Sequence, residues 1–451
     1  MNTLWPHQKE TFELYQRSNV VLDLSDAGTG KTLAALEAFR QRRRNGGGRA
    51  LVVAPKTLLA PAWAAEIRKF CPELTFSIAY ASNRLKAFQV AADVYITNTD
   101  AVRWLLEQPA RFFKTFDTLI VDEISDFKHE NSLRSKALAK LSGNFRYRAG
   151  LTATPTANSI TDLWHQAYLM DGGHRLGQSF YHFRNTVQEQ KPNPKHPRFM
   201  IWEDKPHAMD AVYALIKDIT IRHEFAVVMP HVPDNTEYTV EFTPSAKLLK
   251  VYERMRKEAL AIAESGELIN AVNAAALRTK LLQIASGAVY GETGEPVTLD
   301  TERSDLVADL VAQRPHSVVF YLWKHQRDQL AKSLKKLKLP FAIIDSDTKD
   351  RDRDRIVQEF QAGKYRAILM HPKTGSHGLT LTRGTSVIWC SPPDRADWLV
   401  QGKHRVYRGV QDKETEAIMV CAKHTLEARV YANTGGKRFN MQRLLDLIKE
   451  N

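Results

Sequence analysis

Residues 19–32, NVVLDLSDAGTGKT, constrain the fold more strongly than any other stretch of this chain. The apolar run at 20–24 predicts a buried strand, and a helical pattern follows the loop. A strand, a glycine-bearing loop and Gly-Lys-Thr at a helix start form the context of a phosphate-binding loop. Gly28 and Gly30 let backbone N–H groups turn toward an anion. Ser25 stands where the full pattern has glycine, and an accidental turn is the weaker alternative.

The loop residues have distinct expected roles. Lys31 would reach the outer phosphates of a nucleotide, and the Thr32 hydroxyl would hold Mg²⁺. Gln8, in the N-terminal segment LWPHQ, could read an adenine edge because its amide both donates and accepts hydrogen bonds. We therefore expect ATP and Mg²⁺ as cofactors. The expected ATP-binding residues here are Gln8, Asp26, Ala27, Gly28, Thr29, Gly30, Lys31 and Thr32.

Two adjacent acids, Asp122 and Glu123, follow the predicted strand at 119–121. Carboxylates in this position are unfavourable unless a metal ion or a water molecule uses them. In a phosphate-loop NTPase the first acid completes the Mg²⁺ shell and the second polarises the attacking water. A solvated loop is the alternative. Short strands alternate with helical stretches around both motifs, which predicts a parallel, doubly wound sheet with ligands at the carboxyl ends of its strands.

Composition limits the class of protein. Lysine and arginine number 64 against 51 acids, and the net charge of +13 favours a polyanionic partner such as nucleic acid. No apolar run reaches the roughly 18 residues of a membrane span, and the first residues lack a signal-peptide layout. Cys71, Cys390 and Cys421 are widely separated, which argues against a disulfide framework or a metal site.

The second half of the chain predicts another α/β lobe, with strand candidates between residues 317 and 422 and no phosphate loop of its own. Within QGKHRVYRGVQ, at 401–411, Arg405 and Arg408 lie three residues apart and share one face of a helical turn. Guanidinium groups fixed in this way suit the negative charge of a γ-phosphate. A charged surface is the alternative. The amphipathic helices predicted between the lobes have packing as their ordinary role.

Several segments, taken in order, carry a resemblance to a known family. LWPHQ, DAGTGKT, APKTLLAPAW, YITNT, VDEIS and LTATPTAN resemble the first lobe of superfamily 2 helicase-type ATPases, and more narrowly the Swi/Snf-type double-stranded DNA translocases. SVVFYLWKHQRDQLAKSL, the loop at 373–382 and QGKHRVYRGVQ resemble the fourth, fifth and sixth motifs of that group. Ser125 departs from the pattern, because the group usually has His or Gln there.

The resemblance implies an α/β fold of two RecA-like parallel-sheet lobes with helical insertions between them. The expected domains are lobe 1 at residues 1–158, an insertion or linker region at 159–300, and lobe 2 at 301–451. Five residues are implied to be catalytic, and Thr32 and Asp122 to bind the metal. The implied catalytic residues are Lys31, Asp122, Glu123, Arg405 and Arg408, and the resemblance adds Gly378 and Gln401 to the ATP-binding residues. Thr152 and Thr154 are implied to couple nucleotide binding to nucleic-acid binding. The implied nucleic-acid contacts are Pro55, Lys56, Thr57, Trp63, Thr97, Asn98, Lys373, Thr374 and Ser376.

The expected function is that of a motor that hydrolyses ATP to translocate on DNA, with duplex or branched DNA as partner and RNA left open. Remodelling, branch migration or helicase-type activity would follow from it. The alternatives are a strand-separating DNA or RNA helicase, an RNA-stimulated ATPase and a non-catalytic nucleic-acid-binding protein. The compact chain favours a monomeric bacterial or phage protein in the cytoplasm of the bacterium or infected host, without a membrane partner.

Overall fold

The structure is a computed structural model that describes residues 4–156, 159–193, 196–264, 271–290, 294–375, 379–393 and 395–434. The chain divides into two compact units, the first running to Pro230 and the second beginning at His231. Each unit is built around one parallel sheet.

Nine strands and eleven α-helices are described in the first unit. The strands are β1 (Val20–Asp23), β2 (Arg49–Ala54), β3 (Phe76–Ala79), β4 (Val94–Asn98), β5 (Phe116–Asp122), β6 (Tyr147–Leu151), β7 (Gln188–Asn193), β8 (His196–Asp204) and β9 (Thr220–Ile221). The helices are α1 (Pro6–Arg17), α2 (Lys31–Arg44), α3 (Ala65–Phe70), α4 (Arg84–Gln89), α5 (Ala101–Leu106), α6 (Ala110–Phe113), α7 (Leu133–Ser142), α8 (Asp162–Asp171), α9 (Phe180–Val187), α10 (Ala208–Ile216) and α11 (Phe225–Val228). A π-helical turn, Leu59–Ala64, precedes α3, and short 3-10 turns occupy Lys56–Leu58, Ala81–Asn83, Ile124–Phe127 and Lys217–Ile219.

The first sheet has seven strands in the order β3-β4-β2-β5-β6-β1-β9, and every pairing is parallel. Every residue of β1 and β4 is buried, which explains why these strands are continuous apolar runs rather than alternating ones. Because parallel strands end at the same edge, the loop after β1 and the acids after β5 lie along one edge, two strand positions apart. β7 and β8 form an antiparallel hairpin outside this sheet.

Local sequence explains where individual helices begin and end. Helix α7 starts after Ser132, whose hydroxyl accepts a hydrogen bond from the backbone N–H of Ser135 at 3.2 Å. Helix α2 carries three arginines in its last turn, where positive charge complements the helix dipole, and Gly46 follows with a φ of +82°. The basic last turn and the glycine after it thus explain where the helix that begins at Lys31 ends.

The second unit contains eight described strands and seven described α-helices. They are β10 (Asn235–Phe242), α12 (Ala246–Glu264), α13 (Ala271–Ala285), β11 (Ala288–Tyr290), β12 (Pro296–Thr298), α14 (Glu302–Ala312), β13 (Ser317–Phe320), α15 (Lys324–Lys336), β14 (Phe341–Ile344), α16 (Asp350–Gln361), β15 (Ala367–Met370), α17 (Pro372–Gly375), β16 (Ser386–Trp389), α18 (Ala396–Lys403) and β17 (Thr415–Ala422). Six of the strands form a parallel sheet in the order β10-β17-β16-β13-β15-β14.

A buried ion pair joins helix α14 to the chain that follows β17. Arg303 donates to both carboxylate oxygens of Glu427 at 2.8 Å, and both side chains are almost fully buried. The backbone N–H of Ala422 also donates to Glu427, at 2.8 Å. Such a pair is tolerated inside a protein because each charge finds its partner and further hydrogen bonds.

The predicted α/β fold with two parallel-sheet lobes is confirmed. The three-part division at residues 158 and 300 stays a prediction. Within the predicted middle region, β9 adds an edge strand to the first sheet and β10 adds one to the second. Across the described residues, no helix combines the length and apolar character that a membrane crossing requires.

Candidate nucleotide site

The loop between β1 and α2 has the backbone shape of a phosphate-binding loop. Gly28 and Gly30 adopt left-handed conformations, with φ of +87° and +84°. A Cβ at Gly30 would also collide with the side-chain amide of Gln8. Both positions therefore require glycine, and the N-terminus of α2 is presented directly after the turn.

Lys31 lies at the start of α2 and folds back over this loop. Its ammonium donates to the carbonyl oxygens of Ser25, at 2.6 Å, and Asp26, at 2.9 Å. The Thr29 hydroxyl donates to the same Asp26 carbonyl at 2.9 Å. A positive charge is thus held on the loop beside the helix N-terminus, which is the electrostatic arrangement that attracts phosphate.

Helix α1 contacts the same loop. The His7 ring donates through Nε2 to the Thr29 carbonyl at 2.8 Å, and Gln8 donates to that carbonyl at 3.4 Å. The Gln8 side-chain oxygen accepts the backbone N–H of Trp5 at 3.0 Å. The structure therefore brings Gln8 to the phosphate-binding loop, and its contact with adenine stays a prediction.

At the end of β5, the Asp122 carboxylate is held on both oxygens. Trp63 donates from its indole N–H to Oδ2 at 2.9 Å, and the backbone N–H of Glu123 donates to Oδ1 at 3.0 Å. Burial raises the pKa of Asp122, while the Trp63 hydrogen bond and the charge of Lys31 act in the opposite direction. The charge of Lys31, on the loop after β1, thus favours the ionised form of the acid at the end of β5.

Glu123 has a φ of +52°, a left-handed conformation that is unusual for a residue with a Cβ. Such a conformation is unfavourable by about 1–3 kcal/mol, and it concentrates at functional positions. Thr152 donates from its hydroxyl to Glu123 at 3.4 Å and from its backbone N–H to the Asp23 carbonyl at 3.1 Å. Thr154 donates its backbone N–H to the Thr152 hydroxyl at 3.1 Å. The two threonines predicted to couple thus lie between β1 and the catalytic acid candidate.

Thr32 and Asp122 supply the donor set predicted for the metal. A hydroxyl and a carboxylate are the oxygen ligands that Mg²⁺ prefers, and Mg²⁺ usually completes its shell with water and phosphate oxygens. A carboxylate whose pKa burial raises is also stabilised in its charged form by a nearby cation. These residues therefore fit Mg²⁺ bound together with a nucleotide.

The residues predicted to contact nucleic acid in the first unit fall into two groups. Trp63 and Thr97 are fully buried, and Thr97 donates to the Ala79 carbonyl at 2.6 Å. Trp63 also donates to Asp122, and a contact of either residue with nucleic acid stays a prediction. Of the remaining residues, Lys56 is exposed, Thr57 is half-buried, and Pro55 and Asn98 are buried.

In the second unit, Arg405 and Arg408 follow α18 and bond both to that helix end and to the loop at 379–380. Arg405 is buried, and it donates to the carbonyls of Gln401 at 2.9 Å and Leu379 at 3.2 Å. Arg408 is half-buried, and it donates to the His404 carbonyl and the Thr380 hydroxyl, both at 2.8 Å. The predicted fifth and sixth motifs are thereby joined, because Leu379 accepts from Arg405 and Thr380 accepts from Arg408.

The rest of the predicted second-lobe set is placed as follows. Gln401 is buried on α18, Lys373 is exposed and Thr374 is half-buried on α17. Ser376 and Gly378 lie outside the described residues. The catalytic role of Arg405 and Arg408 stays a prediction.

Two ion pairs of the first unit were missed by the sequence interpretation. Arg222 donates to the Asp26 carboxylate at 2.9 Å, and Lys128 donates to Asp162 at 3.3 Å, with both side chains of the second pair largely buried. Each pair joins segments that are distant in sequence. The strand β9 has only two residues, and no sequence pattern indicates the partner of Arg222.

Comparisons with known proteins add independent information. A model described as the SNF2-related domain matches residues 11–286, and a model of the helicase conserved C-terminal domain matches residues 302–410. The chain is 28% identical to protein p41 of Acyrthosiphon pisum secondary endosymbiont phage 1, over 96% of this chain and 95% of that protein. It is 22% identical to the uncharacterized ATP-dependent helicase MG018 of Mycoplasma genitalium, over 95% of this chain and 41% of that protein.

A solved structure, the Sulfolobus solfataricus SWI2/SNF2 ATPase core in complex with dsDNA, is 20% identical with a TM-score of 0.44, and the match covers 98% of this chain and 92% of that chain. The chain therefore spans almost the whole length of the phage protein and less than half of the mycoplasmal one.

Proposed function

This chain belongs to the SNF2-related family, and from that premise we propose that it hydrolyses ATP to translocate on duplex DNA. The family model matches well over half of the chain, and the helicase C-terminal model matches most of the second sheet. The protein is accordingly an ATP-hydrolysing enzyme with the core of an SNF2-family helicase or translocase. Duplex DNA as the track, ATP with Mg²⁺ as the substrate, and translocation as the output are our proposals.

One observation carries the proposal above all others. The glycine loop with Lys31 and the acid pair Asp122–Glu123 lie at the same edge of one parallel sheet, separated only by β6. This is where ligands bind in open α/β sheets. The loop supplies N–H groups and an ammonium for phosphates, and the acids supply a metal ligand and a base.

The proposed chemistry assigns a task to each residue. Lys31 would exchange its two carbonyl partners for the outer phosphates of ATP. Glu123, held in its strained conformation, would orient and polarise the attacking water. Mg²⁺, when bound, would offset charge on the β- and γ-phosphates. Arg405 and Arg408 are proposed to stabilise the negative charge that develops on the transferred phosphoryl group.

Nucleic acid is the proposed partner because the chain carries a net charge of +13. Lys56 and Lys373, both predicted contact residues, are exposed, which supports a contact with a phosphate backbone. Contacts of this type are electrostatic, so binding should be nearly independent of base sequence and should weaken steeply with added salt. The Thr152–Glu123 hydrogen bond offers a route by which nucleotide state and strand binding influence each other.

Strand separation is the second candidate function, and the hairpin β7–β8 is the observation that favours it. In it, residues 188–193 pair with residues 196–204 in antiparallel fashion, and neither strand belongs to a large sheet. A helicase needs an element that divides the two strands, and a hairpin can serve as one. The sequence alone indicated no such element.

The proposal is tested by comparing ATP hydrolysis in duplex DNA, single-stranded DNA and RNA at low salt. We expect the largest stimulation with duplex DNA, displacement of the third strand from a triplex, and no unwinding of a forked duplex. Random-sequence duplexes of equal length serve as controls for sequence preference. Unwinding of the fork would favour the second candidate, and stimulation by RNA alone would contradict the proposal.

A further inference from the structure

A short segment from the end of the first unit contacts the phosphate-binding loop along its length. We call residues 221–225 the loop-contact segment. Its backbone extends the pairing of β9 with β1 into the loop, since Leu24 donates its N–H to the Ile221 carbonyl and Asp26 donates to the His223 carbonyl, both at 2.9 Å. The N–H of His223 donates to the Ser25 hydroxyl at 3.0 Å. Residues 24–26 are therefore held as the continuation of a strand.

Asp26 is the residue through which this segment reaches Lys31. Its Oδ1 accepts from the Arg222 guanidinium at 2.9 Å, and its Oδ2 accepts the backbone N–H of Phe225 at 3.0 Å. Its carbonyl oxygen accepts from Lys31 and from the Thr29 hydroxyl. One residue thus bonds the segment through its side chain and the catalytic lysine through its backbone.

The Arg222 side chain is only 1% exposed, and its second terminal nitrogen lies 3.8 Å from Glu224. A buried guanidinium must keep a charged partner, because leaving one charge of such a pair alone is strongly unfavourable. The planar fork of arginine also fixes the direction of its hydrogen bonds. The Arg222–Asp26 pair therefore holds the backbone at Asp26 in one orientation.

Two further contacts make the segment complementary to the loop and to α1. The ring of Phe225 lies against Gly28, so that a Cβ at Gly28 would be 3.0 Å from the ring. His223 hydrogen bonds to Thr11 at 2.9 Å and packs edge-on against the ring of His7. His7 in turn bonds the Thr29 carbonyl. The segment thus contacts the loop directly at Gly28 and, through His7, at Thr29.

We infer that Arg222 is a positioning residue for ATP binding: through Asp26 it holds the phosphate-binding loop in the conformation in which Lys31 and the backbone N–H groups receive the phosphates. This inference rests on the proposed function, because it assigns the determinant of affinity at the same site. Arg222 itself lies outside the loop, directly after β9.

The test measures the affinity of the full chain for a fluorescent ATP analogue with Mg²⁺. Arg222→Gln is expected to weaken binding about 10- to 100-fold, the range for a lost hydrogen bond to a charged group. Arg222→Lys should recover part of that loss, because it restores the charge without the fork geometry. Asp26→Asn should weaken binding similarly. The variant that carries both substitutions should lose no more affinity than the more impaired single variant, because the pair acts as one unit.

Arg43→Gln is the matched control, since Arg43 forms a 2.8 Å ion pair with Asp93 at the far end of the helix that begins at Lys31. It should leave nucleotide affinity unchanged. Thermal unfolding of each variant separates positioning from stability. An Arg222→Gln protein that is folded and binds the analogue like the unaltered chain would overturn the inference alone. Failure of the unaltered chain to bind the analogue would overturn the proposed function as well.

Discussion

Replacing Glu123 by glutamine is expected to lower the rate of ATP hydrolysis by about 10²- to 10⁴-fold while ATP still binds. The amide cannot accept the proton of the attacking water, but it keeps the size of the side chain and an oxygen for the Thr152 hydroxyl. We expect the left-handed backbone seen at Glu123 to be kept in the variant, because glutamine has the same shape. Turnover with saturating duplex DNA, together with the affinity for a fluorescent ATP analogue, measures the two effects separately.

Glu130→Gln is the control for the loss of one acid from the same stretch, and it should hydrolyse ATP at the normal rate. If Glu123→Gln retained full turnover, the assignment of the general base would be wrong. If it lost nucleotide binding to the same extent as turnover, its role would lie in binding rather than in the chemical step.

Replacing Arg408 by alanine is expected to lower turnover by about 10³-fold or more, the range associated with removal of an arginine finger. Arg408 is the better choice of the two arginines, because Arg405 is buried and holds the carbonyls of Gln401 and Leu379. Loss of Arg405 would therefore change packing as well as charge. Arg408 is half-buried, and the hydroxyl it contacts at Thr380 can bond water instead.

Steady-state hydrolysis with duplex DNA measures the effect of Arg408→Ala, and nucleotide affinity is expected to change far less. Arg355→Ala provides the control, because Arg355 forms an exposed ion pair with Asp352 in the same unit. Normal turnover by Arg408→Ala would remove Arg408 from the catalytic set.

The fold and the phosphate-binding loop could be predicted from sequence because the patterns that indicate them are local. Buried parallel strands read as short apolar runs, and a glycine with positive φ before a helix leaves a visible pattern at Gly28 and Gly30. The acid pair after β5 was equally visible. Short-range sequence patterns thus predicted both sheets and the edge at which the site lies.

The rest of the site depends on contacts between residues far apart in sequence. Arg222 lies 196 positions after Asp26, and no local pattern specifies that pairing. Trp63 shows the same limit. The family resemblance implied a nucleic-acid contact for it, which stays a prediction, but no local pattern indicated that packing would bury the side chain and direct its N–H to Asp122, 59 positions away. Tertiary packing determines both contacts.

The measurement that tests the central claim most directly is ATP hydrolysis by the unaltered chain and by Lys31→Ala, at low salt with and without duplex DNA. Lys31 contributes the ammonium that the loop holds at Ser25 and Asp26. We predict that duplex DNA stimulates the unaltered chain and that Lys31→Ala, still folded, loses at least about 10²-fold in turnover. Equal turnover by the two proteins would contradict the account, because hydrolysis would then occur without the phosphate-binding loop.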